Sequence, residues 1–506
     1  MLEIEYYKMS YPNNLGARIN HITNYSTNSV MLRPDNSIVE LNGITNGARL
    51  EFTLPPNSLV DLSSFSVYAN FETTTAVEVA GTQIRPHYLT RYVNSLIHRL
   101  TVEIGGQVVN DIQDYNRIQQ IFSDYQFGIE GSSKKLLSNI DPLDKRTTGG
   151  VQVGGLRPLE DIGANNLIKN DSRPICMTQF LGFLGGGAGV KYIDTQLTGN
   201  IKITFELAPA NNVLFRASEG ETNGAVATAV AGAADANCTT QASYSLNQVV
   251  ATIKKASIDD GVYFQSITAA LTAGIPFEYK YNHFYQTKSN TTNGDLTMRY
   301  EVMSNSVDMA MLTFYENAFN TAVADLPNKV LLAGNPRPND ANALLASAQG
   351  SNEFYNGVNP KLTAKQLAIA GKENCYCSGY FKRNGSIIDK CRFFINGERL
   401  PQFDMTPPMI YNQSLIDFGI HDDTANGIYY GINSFDSWKK NYWVATARLS
   451  HICNDESYIS GFNANGVPLT LSVETDAIAG AANAYTAQLY VMTTEVMQVY
   501  AGRQIN

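Results

Sequence analysis

Asn94–Val109 reads NSLIHRLTVEIGGQVV and lies without a gap over Gly385–Leu400, GSIIDKCRFFINGERL. Ser95, Ile97, Ile104 and Gly106 recur as Ser386, Ile388, Ile395 and Gly397, at an offset of 291 residues. Leu96 over Ile387, Arg99 over Lys390 and Gln107 over Glu398 keep their chemistry. Upstream, DLSSFSVY from Asp61 lies over DMAMLTFY from Asp308, at an offset of 247. Each half carries the same strand-like segments in the same order, which predicts two copies of one all-β domain.

Period-two alternation dominates the chain around these matches. In Ile201-Lys202-Ile203-Thr204-Phe205-Glu206-Leu207 every odd position is apolar and every even one polar, as in a strand with one face on a core and one in water. Leu100–Ile104, Phe65–Phe71 and Leu469–Glu474 repeat the pattern. Half-solvated strands of this kind belong to antiparallel sheets in sandwiches or barrels.

Helical signals are few. Tyr263, Ile267, Ala270 and Leu271 recur at helical spacing, Asp259 and Asp260 suit the N-terminal dipole, and Gly274 is placed to end the helix before Pro276. This helix falls between the two copies. It divides the chain into an N-terminal arm and first domain over 1–258, a linker helix over 259–274 and a second domain over 275–506. A second helix is expected through DIQDYNRIQQIFSDY from Asp111, with Ile112, Tyr115, Gln119 and Phe122 on one face. The two offsets differ by 44 residues, so an insertion of that size is expected between Tyr315 and Ser386. Strands tolerate no such insertion because a slipped register turns side chains to the wrong face. It therefore belongs to a large loop over about 317–379, with a short helix at Thr363–Ala370 ended by Gly371. The Ala/Gly/Thr-rich stretch from Ala217 lacks the charge runs of solvated disorder, and is expected to pack on the fold or on neighbouring subunits.

At 506 residues the chain has room for two or three domains whose cores need no staples. Charged residues make up only 16%, which leaves a neutral polar surface or one buried against other subunits. Net charge is −9, and the basic residues fall in scattered pairs such as Lys134-Lys135 and Lys439-Lys440. That pattern argues against direct nucleic-acid binding, which needs a clustered basic footprint. No basic n-region with an apolar core opens the chain, and no apolar run approaches a spanning helix, so synthesis in the cytosol is expected. Cys176, Cys238, Cys375, Cys377, Cys391 and Cys453 are too sparse for a disulfide framework.

Catalytic and ligand-binding patterns in the sequence are fragmentary. GFLGGGAGVKY from Gly182 lacks the Gly-Lys-Ser/Thr ending of a phosphate loop and reads as a turn. Cys375-Tyr376-Cys377 has no second pair at zinc spacing, and His421-Asp422-Asp423 reads as a charged turn. No G-x-S-x-G elbow is present. Trp438 and Trp443, flanking Lys439-Lys440 and Tyr442, could stack on a sugar or pack on a strand. No catalytic, cofactor-binding or metal-binding residue is assigned.

Four segments resemble a known family: LEFTLPPNSLVDLSSFSVYANF from Leu50, the block NSLIHRLTVEIGGQVVNDIQDYNRIQQIFSDY from Asn94, GNIKITFELAPANNVLF from Gly199 and YSLNQVVATIKKASIDDGVYFQSITAALTAG from Tyr244. AQLYVMTTEVMQVY from Ala487 similarly looks like a closing strand. Together they resemble the double jelly-roll major capsid proteins of tailless icosahedral DNA viruses, the lineage of virophages, polinton-like viruses and nucleocytoplasmic large DNA viruses. The resemblance implies two tandem jelly-roll sandwiches and a homotrimer whose six jelly rolls form a pseudo-hexagonal capsomer. It further implies an icosahedral shell in the virion, assembled inside the host cell with penton and minor capsid proteins, in many members over an internal membrane. Long loops such as 317–379 would then stand on the outer surface. The resemblance carries over no catalytic residue and no cofactor. A minor capsid or spike protein and a double jelly-roll carbohydrate-active or amidase enzyme with convergent carboxylates are the alternatives. A two-domain cupin would need histidine and glutamate metal ligands that are not seen here.

Overall fold

The structure, a computed structural model, describes residues 25–35, 39–42, 48–74, 87–89, 92–126, 146–148, 151–153, 173–185, 192–216, 243–258, 261–317, 379–420, 432, 435, 438–439, 442–450, 461–478, 485–500 and 504–505. Eight strands build a first sandwich: β1 Tyr25–Leu32, β2 Arg49–Thr53, β3 Leu59–Thr74, β4 Ile97–Ile104, β5 Gln107–Ile112, β6 Arg173–Met177, β7 Ile201–Leu207 and β8 Ser243–Ile258. They form two antiparallel sheets, in the orders β1-β8-β3-β6 and β2-β7-β4-β5. Eight more follow: β9 Phe277–Thr291, β10 Leu296–Val302, β11 Val307–Glu316, β12 Ile388–Ile395, β13 Glu398–Met405, β14 Ala445–Arg448, β15 Leu469–Ala477 and β16 Tyr485–Tyr500. Their sheets run β9-β16-β11-β14 and β10-β15-β12-β13. Every strand of the second sandwich thus holds the place of the strand eight earlier in the first. Each set is a jelly roll, two sheets face to face built on four main strands apiece. Short strands Val39–Asn42 and Tyr192–Asp194 add to one sheet of the first, and Gln504–Ile505 to one sheet of the second. The fold is a double jelly roll.

Both sequence matches land on equivalent elements. Asp61–Tyr68 lies in β3 and Asp308–Tyr315 in β11, each third in its sheet. The longer match covers the β4–β5 and β12–β13 hairpins. Their two-residue turns are Gly105-Gly106 at φ 59° and 85° and Asn396-Gly397 at φ 50° and 86°. Two left-handed residues in succession make the turn whose twist suits a hairpin, and this explains the shared Gly106 and Gly397. An arginine–aspartate pair braces each hairpin, Arg99 to Asp111 at 2.7 Å and Arg392 to Asp404 at 2.7 Å. The offset of 291 lays Lys390 over Arg99; the bracing arginine sits two residues further on, which keeps it on the same face of the strand.

The alternating strands bury their apolar face. In β7 Ile201, Ile203, Phe205 and Leu207 are buried while Lys202, Thr204 and Glu206 are half-exposed. Phe205 meets Phe52, Phe65 and Phe180, with ring centroids 5.3 to 6.2 Å apart. Each such side chain contributes roughly 1.5–3 kcal/mol.

The helices sit at chain reversals. α1, Tyr115–Gln126, follows the first hairpin and α3, Pro407–Asp417, follows the second. The spacing of Ile112 and Tyr115 had suggested a helix from Asp111, but α1 begins at Tyr115. Asp111 and Ile112 are held in β5 opposite Thr101 and Leu100, and Asp114 turns the chain at φ 45°. α2, Gly261–Thr272, stands between the two sandwiches in the chain. It ends on Gly274 at φ 75°, with the Gly274 amide on the Leu271 carbonyl and the Ile275 amide on that of Ala270, as expected where a glycine closes a helix. The expected outer loop over 317–379, its helix at Thr363–Ala370 and the N-terminal arm before Tyr25 lie outside the described residues, apart from Asn317 and Gly379.

Candidate functional site

Where the two sandwiches meet, α1 places charged groups on the second one. Arg117 is 3% exposed. Its guanidinium donates from Nε and Nη2 to the Tyr380 carbonyl at 3.3 and 3.1 Å and from Nη1 to Gln488 Oε1 at 3.3 Å. It also lies between two rings, 3.9 Å from the centre of Tyr315 and 3.8 Å from that of Tyr380. Stacked, planar and multiply donating, this is a place that suits arginine and not lysine.

Asp114, just before α1, accepts from Gln488 Nε2 at 3.0 Å and pairs with Lys288 of β9. Burial alone would raise its carboxyl, but Arg117 and Lys288 outweigh it and hold the pKa at about 2. At the other end of the helix Asp124 accepts from Arg383 at 2.8 Å, both nearly fully buried. Tyr125 donates to the Tyr442 carbonyl at 3.3 Å, accepts from Trp438 Nε1 at 2.7 Å and stacks on Phe418 at 4.3 Å. Phe122 packs edge-on against Phe284 and Phe418.

β5 supplies a second patch. Asn110 Nδ2 lies 3.0 Å from His283 Nδ1, and Tyr281 donates to the Val109 carbonyl at 3.1 Å. Burial lowers His283 to about 4 against the pull of Asp111, so the ring is neutral at pH 7 and Nδ1 accepts. His98, 3.9 Å from Asp114, is lowered by burial too.

The glycine-rich stretch contributes at its first residue. Gly182 has φ 77°, and a Cβ there would meet Asn110 Oδ1 and Ile112 Cδ1 at 2.6 Å, so the glycine permits a close turn against β5. Trp438 and Trp443 are fully buried, which decides for packing: Trp438 against Tyr411 and Phe435, Trp443 against Phe314. Cys176 and Cys391 are free and buried; the other four cysteines and His421 lie outside the described residues. Among the described residues no group of three or more His, Cys, Asp or Glu is gathered to hold a metal ion, and no helix is long and apolar enough to cross a membrane. Sequence reading passed over Asp114, Arg117, Asp124 and Arg383. For Arg117 and Asp124 the sequence signal is charge inside the apolar period of α1; Asp114 precedes the helix, and Arg383 lies 259 residues from Asp124.

The sequence matches no protein-family model and no curated protein. Among solved structures, the PBCV-1 virus capsid superposes with a TM-score of 0.52 at 12% identity, over 97% of this chain and 98% of that one. The Faustovirus major capsid protein gives 0.52 at 8% identity, over 97% and 93%. PBCV-1 VP54, as fitted into a reconstruction of the virophage Sputnik, gives 0.51 at 13%, over 97% and 98%. The chain has the fold of these capsid proteins. At such identities the likeness is carried by strand order and not by side chains. Within this fold, the junction built by α1 gathers buried, hydrogen-bonded polar side chains, Asn116, Arg117, Gln119, Gln120, Ser123 and Asp124 among them.

Proposed function

We propose that this chain is a major capsid protein, a non-enzymatic shell subunit. Its trimers would form pseudo-hexagonal capsomers of an icosahedral DNA virus, assembled in the infected cell together with penton and minor capsid proteins. The observation that carries this reading is the full-length agreement of the double jelly roll with the PBCV-1 and Faustovirus capsid proteins, both sandwiches included. The buried junction supports it: two sandwiches held in one fixed relation suit a tile that must repeat without variation. Low charge content supports it as well, since a chain with only 16% charged residues suits burial of its surface against neighbours.

On this reading the working parts are an arm and first jelly roll over 1–258, a linker over 259–274 and a second jelly roll over 275–506, whose loop over 317–379 faces outward. Size exclusion with light scattering should give three chains per particle, and negative-stain images should show hexagonal outlines. A monomer that persists at tens of micromolar would overturn the reading. A few copies per particle, counted in purified virions, would point instead to a minor or spike component.

A further inference from the structure

Both halves of the junction have counterparts elsewhere in the chain, and both counterparts are open. α1 meets the second sandwich with its third and tenth residues, Arg117 and Asp124. The third and tenth residues of α3 are Met409 and Ile416, 48% and 44% exposed, with exposed Asn412 between them. α3 leaves its hairpin as α1 leaves the first, so the same face is presented without a sandwich to cover it.

The receiving face repeats too. On the second sandwich a row runs across three strands, Thr313 of β11 opposite Gln488 of β16, and Gln488 opposite Lys288 of β9. On the first, Ser66, which the offset of 247 lays over Thr313, is opposite Thr252 of β8, and Thr252 is opposite Met31 of β1. Tyr68, two residues along β3, stands where Tyr315 stands in β11. Tyr315 is 1% exposed beneath Arg117, whereas Tyr68 is 39% exposed and Met31, in the place of Lys288, is 64% exposed.

The two open faces have changed together. Where the junction within the chain has Arg117 and Asp124 on the helix and Lys288 on the sheet, the open faces carry Met409 and Ile416 on the helix and Met31 on the sheet. Charge has given way to apolar side chains at matching positions on both sides. Such a matched pair of exposed apolar faces is what one protein surface offers another.

We propose that the Met409, Asn412 and Ile416 face of α3 in one copy docks on the Met31, Tyr68 and Thr252 face of a second copy, repeating between chains the contact that α1 makes within one. The inference rests on the shell reading and names its self-association surface. Among the described residues each chain pairs this one open helix face with this one open sheet face, so the contact is head-to-tail and closes into a ring when successive rotations close. The seam within the chain carries ion pairs among its aromatic contacts, whereas the matching positions between chains are apolar, so assembly should be only weakly sensitive to salt.

The test compares the full-length chain with Met409→Asp/Ile416→Asp, and co-expresses Thr252→Cys with Met409→Cys, the counterparts of Gln488 and Arg117. Because the altered residues are exposed, melting of the aspartate variant should be unchanged while its self-association weakens at least about tenfold. Under mild oxidation the co-expressed cysteine variants should form a disulfide between chains, and each expressed alone should not. An aspartate variant that associates like wild type, with no mixed disulfide, overturns this surface and leaves the shell reading standing. If the aspartate variant fails to fold, the disulfide alone decides. A wild-type chain that stays monomeric at tens of micromolar overturns the shell reading itself.

Discussion

At Arg117 a single side chain makes hydrogen bonds to the Tyr380 carbonyl and to Gln488 of β16, stacks between two tyrosines and helps to hold Asp114 ionised. Arg117→Ala would leave Asp114 buried with Lys288 as its remaining strong partner. Breaking one side of a buried ionic contact costs about 3–5 kcal/mol, and urea unfolding should show a loss of that order. Arg117→Lys should recover only part of it, because an ammonium cannot stack between rings and reach both acceptors. His283 and Asp114 add acid lability in successive windows. His283 titrates near its ordinary 6.5 in the unfolded chain but about 4 when folded, so between those values the unfolded state binds more protons. Its contribution is complete above pH 6.5 and lost as pH falls toward 4, when a protonated Nδ1 would face the Asn110 amide donor. Asp114 adds a second loss as pH falls from about 4 toward 2. Asp308 and Asp417, raised by burial, work the other way in acid. His283→Gln should flatten the stability profile between pH 6.5 and 4, and a slope equal to wild type would show that His283 does not set it. None of these residues was legible as a site in the sequence. Their partners lie hundreds of positions away, and a charge in a helical period reads equally well as a solvated face.

The elements were more legible than the residues, because a strand with one wet face writes its period into the sequence while a helix end depends on what holds it. The alternation of Ile201–Leu207 became β7 without change. The start of α1 moved from Asp111 to Tyr115, since the hairpin partner of Asp111 is set by pairing with Thr101 and not by local spacing. The turn glycines give a direct test of the repeat. A Cβ on Gly106 or Gly397 would meet no atom within 4 Å, so only the positive φ is at stake. Gly106→Ala and Gly397→Ala should each cost about 1 kcal/mol, and nearly the same amount, in thermal unfolding. Gly385→Ala belongs to a different class, because its Cβ would be driven into the Trp443 ring. A loss of several kcal/mol or failure to fold is expected there, within the usual range for overpacked cores or beyond it. Equal, mild losses at all three positions would mean that the Trp443 pocket yields easily.

For the whole molecule, two offsets in the sequence announced a duplicated fold, but nothing in it announced how the copies are joined. α2 links the sandwiches along the chain. The described contacts that fasten them come from α1, from β5 and from the turn at Gly182–Leu184, through Arg117, Asp124, Phe122, Tyr125, Asn110 and Phe183 among others. A covalent linker sets how far apart two domains can stray, whereas a buried junction makes the folding of each depend on the other. Two sandwiches joined only by a chain would unfold separately. Here each would lose buried ionic contacts if the other melted, Asp124 with Arg383 and Asp114 with Lys288, at a cost of several kcal/mol. Calorimetry of the full chain at fixed concentration should therefore show one cooperative transition. Arg117→Ala/Arg383→Ala should divide it into two, the sandwich that has lost more burial melting first. Ile267→Asp in α2, 8% exposed in wild type, should lower stability without dividing the transition. Two transitions already present in the wild-type chain would mean that the junction positions the sandwiches without coupling their folding.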